Sequence, residues 1–332
     1  MKIKSEGMKV AIHGRWNKHS SRIGEAKNLW RTRENFDKVL ATEDEVRIAT
    51  NLLTIRFLSL LDKIGVDVIS DGGFRWDSAF DIARKIRGSD GLKILHRIPE
   101  TNHFHRAPEI TVWPVWPGPI LKEDIRLVRM YNSKPILVSL VGPYTLARQS
   151  ISRNSHIDFA KLVLAYAEVL HREIAELAKS NKVYVKIDDP QIFSSQIDWS
   201  LLRSAYFKLA YGIERSKIFH CTWFRRIRNP KAYFELPFGG FFVDLSDRSA
   251  FLRNYAILKY FPKGKILGAG IIDARQPAML PMEDMLFWMR SVLQRVPREN
   301  VWLCPNADLE FLPWDIAEDK LRQLVQLKKE VE

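Results

Sequence analysis

Short apolar runs alternate with longer stretches of helical periodicity along most of the chain. The runs fall at Lys9–His13, Asp67–Ser70, Pro135–Val141, Val183–Ile187, Lys217–Cys221, Phe241–Leu245, Lys265–Ile272 and Val301–Cys304. Each is nearly continuous in hydrophobic residues, as expected of parallel strands buried on both faces. Between them, Thr42 and Glu45 predict a capping box ahead of Val46, Leu53, Phe57, Leu60 and Leu61 at helical spacing. From Asp158 to Lys179, Leu162, Val163, Val169, Leu170 and Ile174 share one helical face. Asn229-Pro230 opens another helix, with proline in its first turn. Strands alternating with helices in this way predict a (β/α)8 TIM barrel, with residues 1–332 as a single domain. An open doubly wound sheet is the structural alternative, but the sequence has no Gly-rich phosphate loop after an early strand to support it.

One segment breaks the rhythm. Gly88–Asn132 contains Trp113-Pro114-Val115-Trp116-Pro117-Gly118-Pro119, too rich in proline for a central strand or a helix. It is expected to be an excursion over one mouth of the barrel, with a hairpin around Leu92–Ile98.

Composition narrows the class. The chain has 332 residues, 46% of them hydrophobic, enough for a large core; one α/β barrel takes about 250 residues or more. No apolar run approaches the roughly 18 residues of a membrane span, and Met1–Lys9 has no signal-peptide core, so a cytoplasmic location is expected; Met8 is an alternative start. Two cysteines, Cys221 and Cys304, build no disulfide framework and read as thiols or metal ligands. The net charge of +13 favours an anionic ligand or surface. The basic residues are dispersed and carry no RNA-binding signature, so nucleic acid is not the expected partner.

The residues just after the strands converge on one mouth of such a barrel. In order they include His13-Gly14-Arg15, Asp71-Gly72-Gly73, Gly142-Pro143-Tyr144-Thr145, Asp188-Asp189-Pro190, His220-Cys221-Thr222, Asp244, Asp273-Ala274-Arg275 and Cys304-Pro305-Asn306-Ala307-Asp308. Turn and cap chemistry accounts for several of these polar residues. It accounts less well for a histidine, two cysteines and several aspartates on one face.

Six of these segments resemble, in order, the strand-end motifs of cobalamin-independent methionine synthase: Ser70-Asp71-Gly72, Leu140-Val141-Gly142-Pro143-Tyr144-Thr145, Ile187-Asp188-Asp189-Pro190, the His220-Cys221 segment, Gly268-Ala269-Gly270-Ile271-Ile272-Asp273 and Trp302-Leu303-Cys304-Pro305-Asn306-Ala307-Asp308-Leu309. The resemblance implies methyl transfer from a methylated folate or pterin with a polyglutamate tail to homocysteine. It also implies a zinc ion that lowers the pKa of the homocysteine thiol, because the thiolate is the nucleophile. In that family two barrels share the work, the C-terminal one holding zinc and the N-terminal one helping to bind folate.

The catalytic set carries over poorly. Thr222 stands where the zinc motif has cysteine, Asp244 near the glutamate ligand, and Ala307 at the last cysteine. Arg275 replaces the proton-donating histidine and Gly73 the glutamate that binds the homocysteine amino group, while Asp188 matches the family's amino-group-binding aspartate. The pattern is closer to the N-terminal half, where an Arg-Arg-Glu-Leu run holds the glutamate tail. Here the nearest match is Ser21-Arg22-Ile23-Gly24-Glu25-Ala26-Lys27, keeping Arg22 and Glu25, with Arg15, Lys18 and Lys27 adding positive charge for contacts to carboxylates.

Three functional readings follow. The first is a split system, in which this chain binds the methyl-pterin and works with a separate zinc-bearing catalytic subunit. The second is a self-sufficient zinc-dependent thiol methyltransferase with a rearranged site of His220, Cys221, Asp244 and Cys304; adjacent His220 and Cys221 would then need a bend at the strand end to reach one ion. The third is a non-catalytic basic scaffold or nucleic-acid-binding barrel, for which steep salt dependence is the signature.

Overall fold

The computed structural model describes residues 7–89, 94–98, 101, 103–152, 157–193 and 197–331. Seven parallel strands form one curled sheet, each hydrogen-bonded to the next: Lys9–Val10, Val301–Pro305, Ile266–Ile272, Gly240–Asp244, Ile218–Cys221, Val183–Asp188 and Ile136–Val141. Their bounds fall within one residue of the sequence expectation, except the first, which is cut to two residues. The Asp67–Ser70 run is not a regular strand but is paired on both sides. Val68 bridges to Ala11 and Ile69 to Ile136, the outermost strands of the sheet. Ile12 N donates to Val68 O at 2.9 Å and Leu137 N to Ile69 O at 2.8 Å.

Helices cover the outside of the sheet. Glu43–Ile64 starts at the predicted box: Glu45 N donates to Thr42 Oγ1, and Thr42 N donates back to the Glu45 carboxylate. Phe159–Ala178 is capped by Asp158, and its Leu162, Val163, Val169, Leu170 and Ile174 are buried. Pro230–Phe234 is capped by Asn229 but lasts only five residues. Trp314–Val331 packs Leu321, Leu324 and Leu327 into the core. Among the described residues no helix is long and apolar enough to cross a membrane.

The 88–132 segment is less irregular than the sequence suggested. Leu95–Arg97 pairs antiparallel with Phe104–Arg106, which is the expected hairpin, although residues 92 and 93 lie outside the described set. Lys122–Tyr131 is a helix with Ile125 and Val128 buried, so the excursion ends some ten residues earlier than its predicted limit. The proline-rich stretch is anchored by Glu173, whose buried carboxylate accepts from Trp116 Nε1 at 2.8 Å and from Ile120 N and Leu121 N at 2.9 Å.

Candidate functional site

Alternation along the strands decides which strand-end side chains face inward. Lys186 and Phe219 are register partners, as are Asp188 and Cys221, and Cys221 and Phe242, so all five point to the inner face of the sheet. Trp302 meets Phe219 and Tyr184 there, which places Cys304, two residues on, inside as well. Gly268 sits opposite Phe242, whose ring occupies the space a Cβ would need. His220 falls on the outer face with its register partner Phe241.

That position removes His220 from the mouth. Tyr206 Oη donates to Asp189 Oδ2 at 2.8 Å, so it accepts from His220 Nε2 at 2.7 Å. Nδ1 is then the unprotonated nitrogen, accepting from Tyr233 Oη at 2.8 Å. Burial, assisted by the charge of Lys186, pushes the imidazole pKa down to about 3. Both ring nitrogens are therefore engaged in a buried layer between strand and helix.

The remaining members of the proposed zinc set are also committed. Asp244 accepts from Ser246 Oγ at 2.7 Å and Asn306 Nδ2 at 3.1 Å. Burial drives the Cys221 thiol up to about 12 and Cys304 upward too, so without a metal both are neutral thiols. Among the described residues no three His, Cys, Asp or Glu side chains are placed to hold one ion. The geometry of His220, Cys221, Asp244 and Cys304 does not fit a zinc centre, because the strand period sends His220 away from the two thiols.

What does converge is a charged cavity at the strand ends. Arg15, Asp71, Asp124, Asp188 and Asp308 line it together with apolar residues such as Ile82, Leu121, Ile125 and Val138. Lys186, fully buried beneath, pairs with Asp188. Burial works against its charge, but the fields of Asp188, Cys221 and Asp308 outweigh that and raise its pKa. Asp308 is pushed by burial, against the pull of Lys186, up to about 8; burial and the charge of Asp71 take Asp124 to about 7. His13 is held neutral by burial and by Lys186, with Nε2 on Pro305 O at 2.9 Å. Asp308 Oδ1 and Arg15 Nη1 are buried without a hydrogen-bond partner. The cavity thus offers carboxyl groups that change protonation near neutral pH beside two fixed cations, an arrangement suited to a ligand carrying both an amine and an acid.

The sequence-predicted cationic edge is partly assembled. Arg15 pairs with Glu310 at 2.8 Å and donates from Nη2 to Asp77 O, while Lys18 reaches Asp77 Oδ1 at 2.6 Å. Arg22, largely exposed, instead pairs with Asp315 on the last helix. Glu25 and Lys27 lie in the first turn of the Gly24–Asp37 helix, Lys27 exposed. Asp188 is in the cavity. Sequence reasoning passed over Lys186, whose one signal was a lone cation inside the apolar run Val183–Ile187, and over the arginines at 225, 226 and 228, which follow the His220-Cys221 motif.

Known proteins similar to this chain identify its family. Residues 120–297 match the family described as the cobalamin-independent synthase, N-terminal domain. A methionine synthase of Saccharolobus solfataricus is 25% identical over 81% of this chain and 80% of its own length; one from Thermoplasma volcanium is 23% identical over 89% and 92%. A B12-independent methionine synthase from a Shewanella species, solved in complex with selenomethionine, superposes with a TM-score of 0.74 at 15% identity, covering 88% of this chain and 90% of that one. A methyltransferase from Methanosarcina mazei gives 0.61 at 13% identity, over 97% and 94%. The chain belongs to the cobalamin-independent methionine synthase family, in its N-terminal-domain branch.

Proposed function

We propose that this chain is a substrate-binding barrel of cobalamin-independent methyl transfer, taking a methylated folate or pterin and leaving thiol activation to a separate zinc-bearing subunit. The observation that carries the reading is the outward turn of His220 into Tyr206 and Tyr233, beside a cavity whose charged residues do converge. The bridges of Val68 and Ile69 to both outer strands support a closed (β/α)8 barrel spanning residues 1–332 as one domain, in the cytoplasm. Within it, Arg15 and Lys18 would meet the carboxylates of the ligand, with Arg22 and Lys27 farther along its acidic tail and Glu25 orienting the helix start. Asp188, held by Lys186, would take an ammonium group; the amino acid bound to the Shewanella neighbour is consistent with such a subsite.

The test is calorimetric titration with methyl-tetrahydrofolate, followed by a methyl-transfer assay with homocysteine. The chain alone binds the folate and transfers no methyl group; adding the zinc-bearing subunit restores turnover. A second reading, self-sufficient catalysis, is favoured by the similar length of the methionine synthase relatives. Zinc-dependent turnover by the purified chain alone would establish it and overturn the first.

A further inference from the structure

Cross-strand pairing in the 88–132 excursion sets apolar side chains beside arginines. In the hairpin of Leu95–Arg97 with Phe104–Arg106, Leu95 stands opposite Arg106 and Arg97 opposite Phe104, with His96 opposite His105 between them. Side chains alternate across the pleat, so the two histidines share one face and the other four the opposite one. The histidine face is the inner one: the His105 ring stacks on Phe80 at 3.7 Å, and His96 Nδ1 donates to Gln149 Oε1 at 3.0 Å. Leu95, Arg97, Phe104 and Arg106 are all exposed. Arg87 and Val115 make a third such pair, joined by backbone bonds of 3.1 and 3.0 Å, and both are exposed.

Val112 and Trp113 extend the apolar set from an anchored backbone. Gly88, at φ +87°, leaves room for their carbonyl oxygens where a Cβ would collide. Thr111 N donates to Gly88 O at 3.0 Å, Pro114 is buried, and Glu173 holds the chain between Trp116 and Leu121. Leu95, Phe104, Val112, Trp113 and Val115 are nevertheless each between 45% and 63% exposed. Side chains presented from a fixed backbone lose little freedom on docking. Arg84, Lys85, Arg87 and Arg106 are exposed and have no ion-pair partner among the described residues. Among the described residues from 82 to 115 the one carboxylate is that of Glu109, half-buried; Asp90 and Glu100 lie outside the described set.

We propose that this face docks the protein on an anionic lipid surface, with the guanidinium groups at the lipid phosphates and the apolar side chains just below them. Protein–protein interfaces gather apolar side chains in a core depleted of charge and leave charge to the rim. Here Leu95, Phe104 and Val115 each have an arginine as cross-strand neighbour, so no such core forms. A lipid interface accepts the mixture, because basic side chains reach the headgroups while their stems and the neighbouring apolar side chains enter the acyl boundary. Stable attachment of this kind takes two signals, one apolar and one cationic, and both stand on this face. The attachment is peripheral, since no described helix is long and apolar enough to cross a membrane. The inference does not depend on the pterin reading, because none of these side chains was assigned to the ligand.

The experiment sediments the full chain with vesicles at low and high salt, one set of phosphatidylcholine alone and one of equal parts phosphatidylcholine and phosphatidylglycerol. The chain binds the mixed vesicles at low salt, is largely released at high salt and ignores the neutral ones. Phe104→Ser/Trp113→Ser and Arg87→Gln/Arg106→Gln each weaken binding by about tenfold or more, with circular dichroism confirming that the fold is kept. Each pair tests the face by itself, so loss of fold in one leaves the other decisive. The control Arg47→Gln/Arg56→Gln, exposed arginines on the Glu43–Ile64 helix, removes the same charge and leaves binding unchanged. Absence of binding to the mixed vesicles, or equal weakening by the control pair, overturns the proposal. So does unchanged binding by the Phe104/Trp113 variant, which would mean that net charge alone attracts the chain. Binding of poly-aspartate but not of vesicles, weakened by the same variants, would assign the face to an acidic protein segment and overturn the lipid reading.

Discussion

His220 Nε2 and the hydroxyl of Tyr206 lie 2.7 Å apart on the outer side of the Ile218–Cys221 strand, while Cys221, one residue on, points inward. One peptide step therefore separates a structural histidine from a cavity-side thiol. Tyr206 passes the hydrogen bond on to Asp189, which also accepts from Thr145 N at 2.6 Å and fixes the start of the Pro143–Gln149 helix.

Replacing His220 by alanine removes the acceptor of the Tyr233 hydroxyl and leaves the Tyr206 hydroxyl with Asp189 alone in a buried layer. The expected cost is about 3 kcal/mol, from the unsatisfied Tyr233 hydroxyl and the space left behind, read as a lower midpoint in urea. Zinc content is the discriminating measurement. Both proteins, purified without chelators, carry less than about a tenth of an equivalent of zinc. Stoichiometric zinc in the parent that disappears in the variant would show His220 to be a ligand after all.

Lys186 and Asp188 make a buried ion pair inside the sheet. Lys186→Met leaves the carboxylate of Asp188 uncompensated and is expected to destabilise the fold by about 3–5 kcal/mol. Adding Asp188→Leu removes the orphaned charge, so the double variant recovers most of that loss. A double-mutant cycle in urea measures it, and simple additivity of the two substitutions would show that the pair is not coupled.

Much of the frame was legible because strands buried on both faces and capped helices leave strong local patterns. Thr42 with Glu45 gave a true helix start, and six of the eight apolar runs became strands almost residue for residue. The Lys122–Tyr131 helix was obscured by the prolines before it, although Ile125 and Val128 show helical spacing. The site was harder to read. Period-two alternation separates His220 from Cys221, yet a sequence motif treats them as neighbours. The link between Glu173 and the 116–121 loop, like the gathering of Arg228, Arg253 and Arg275, spans distances in sequence that no local pattern encodes.

Asp308 gives stability a pH dependence of definite sign. Its carboxyl is raised by burial to about 8, from the ordinary aspartate value of 3.8, so between those values the folded chain holds a proton that the unfolded chain has lost. Stability contributed at this position therefore falls as pH rises through that window. Asp308→Asn removes the titration while keeping the shape. The variant gains thermal stability relative to the parent as pH moves from 5 to 8, and the gap stops widening above that. A gap independent of pH would mean that Asp308 is ionised in the folded protein.

Glu173 ties the proline-rich excursion to the core. Its buried carboxylate accepts from Trp116 Nε1, Ile120 N and Leu121 N, all within the loop that leads into the Lys122–Tyr131 helix. Glutamine at this position keeps the length but turns one acceptor oxygen into a donor facing donors. Glu173→Gln is expected to cost about 2 kcal/mol, and the loss is local because the sheet does not use these bonds. Limited proteolysis gives the sharper readout: cleavage between residues 113 and 121 accelerates at least as much as global unfolding, while the helix of Glu173 itself, Phe159–Ala178, stays protected. Equal cleavage of parent and variant in that loop would mean that Pro114, Pro117 and Pro119 hold it without the carboxylate.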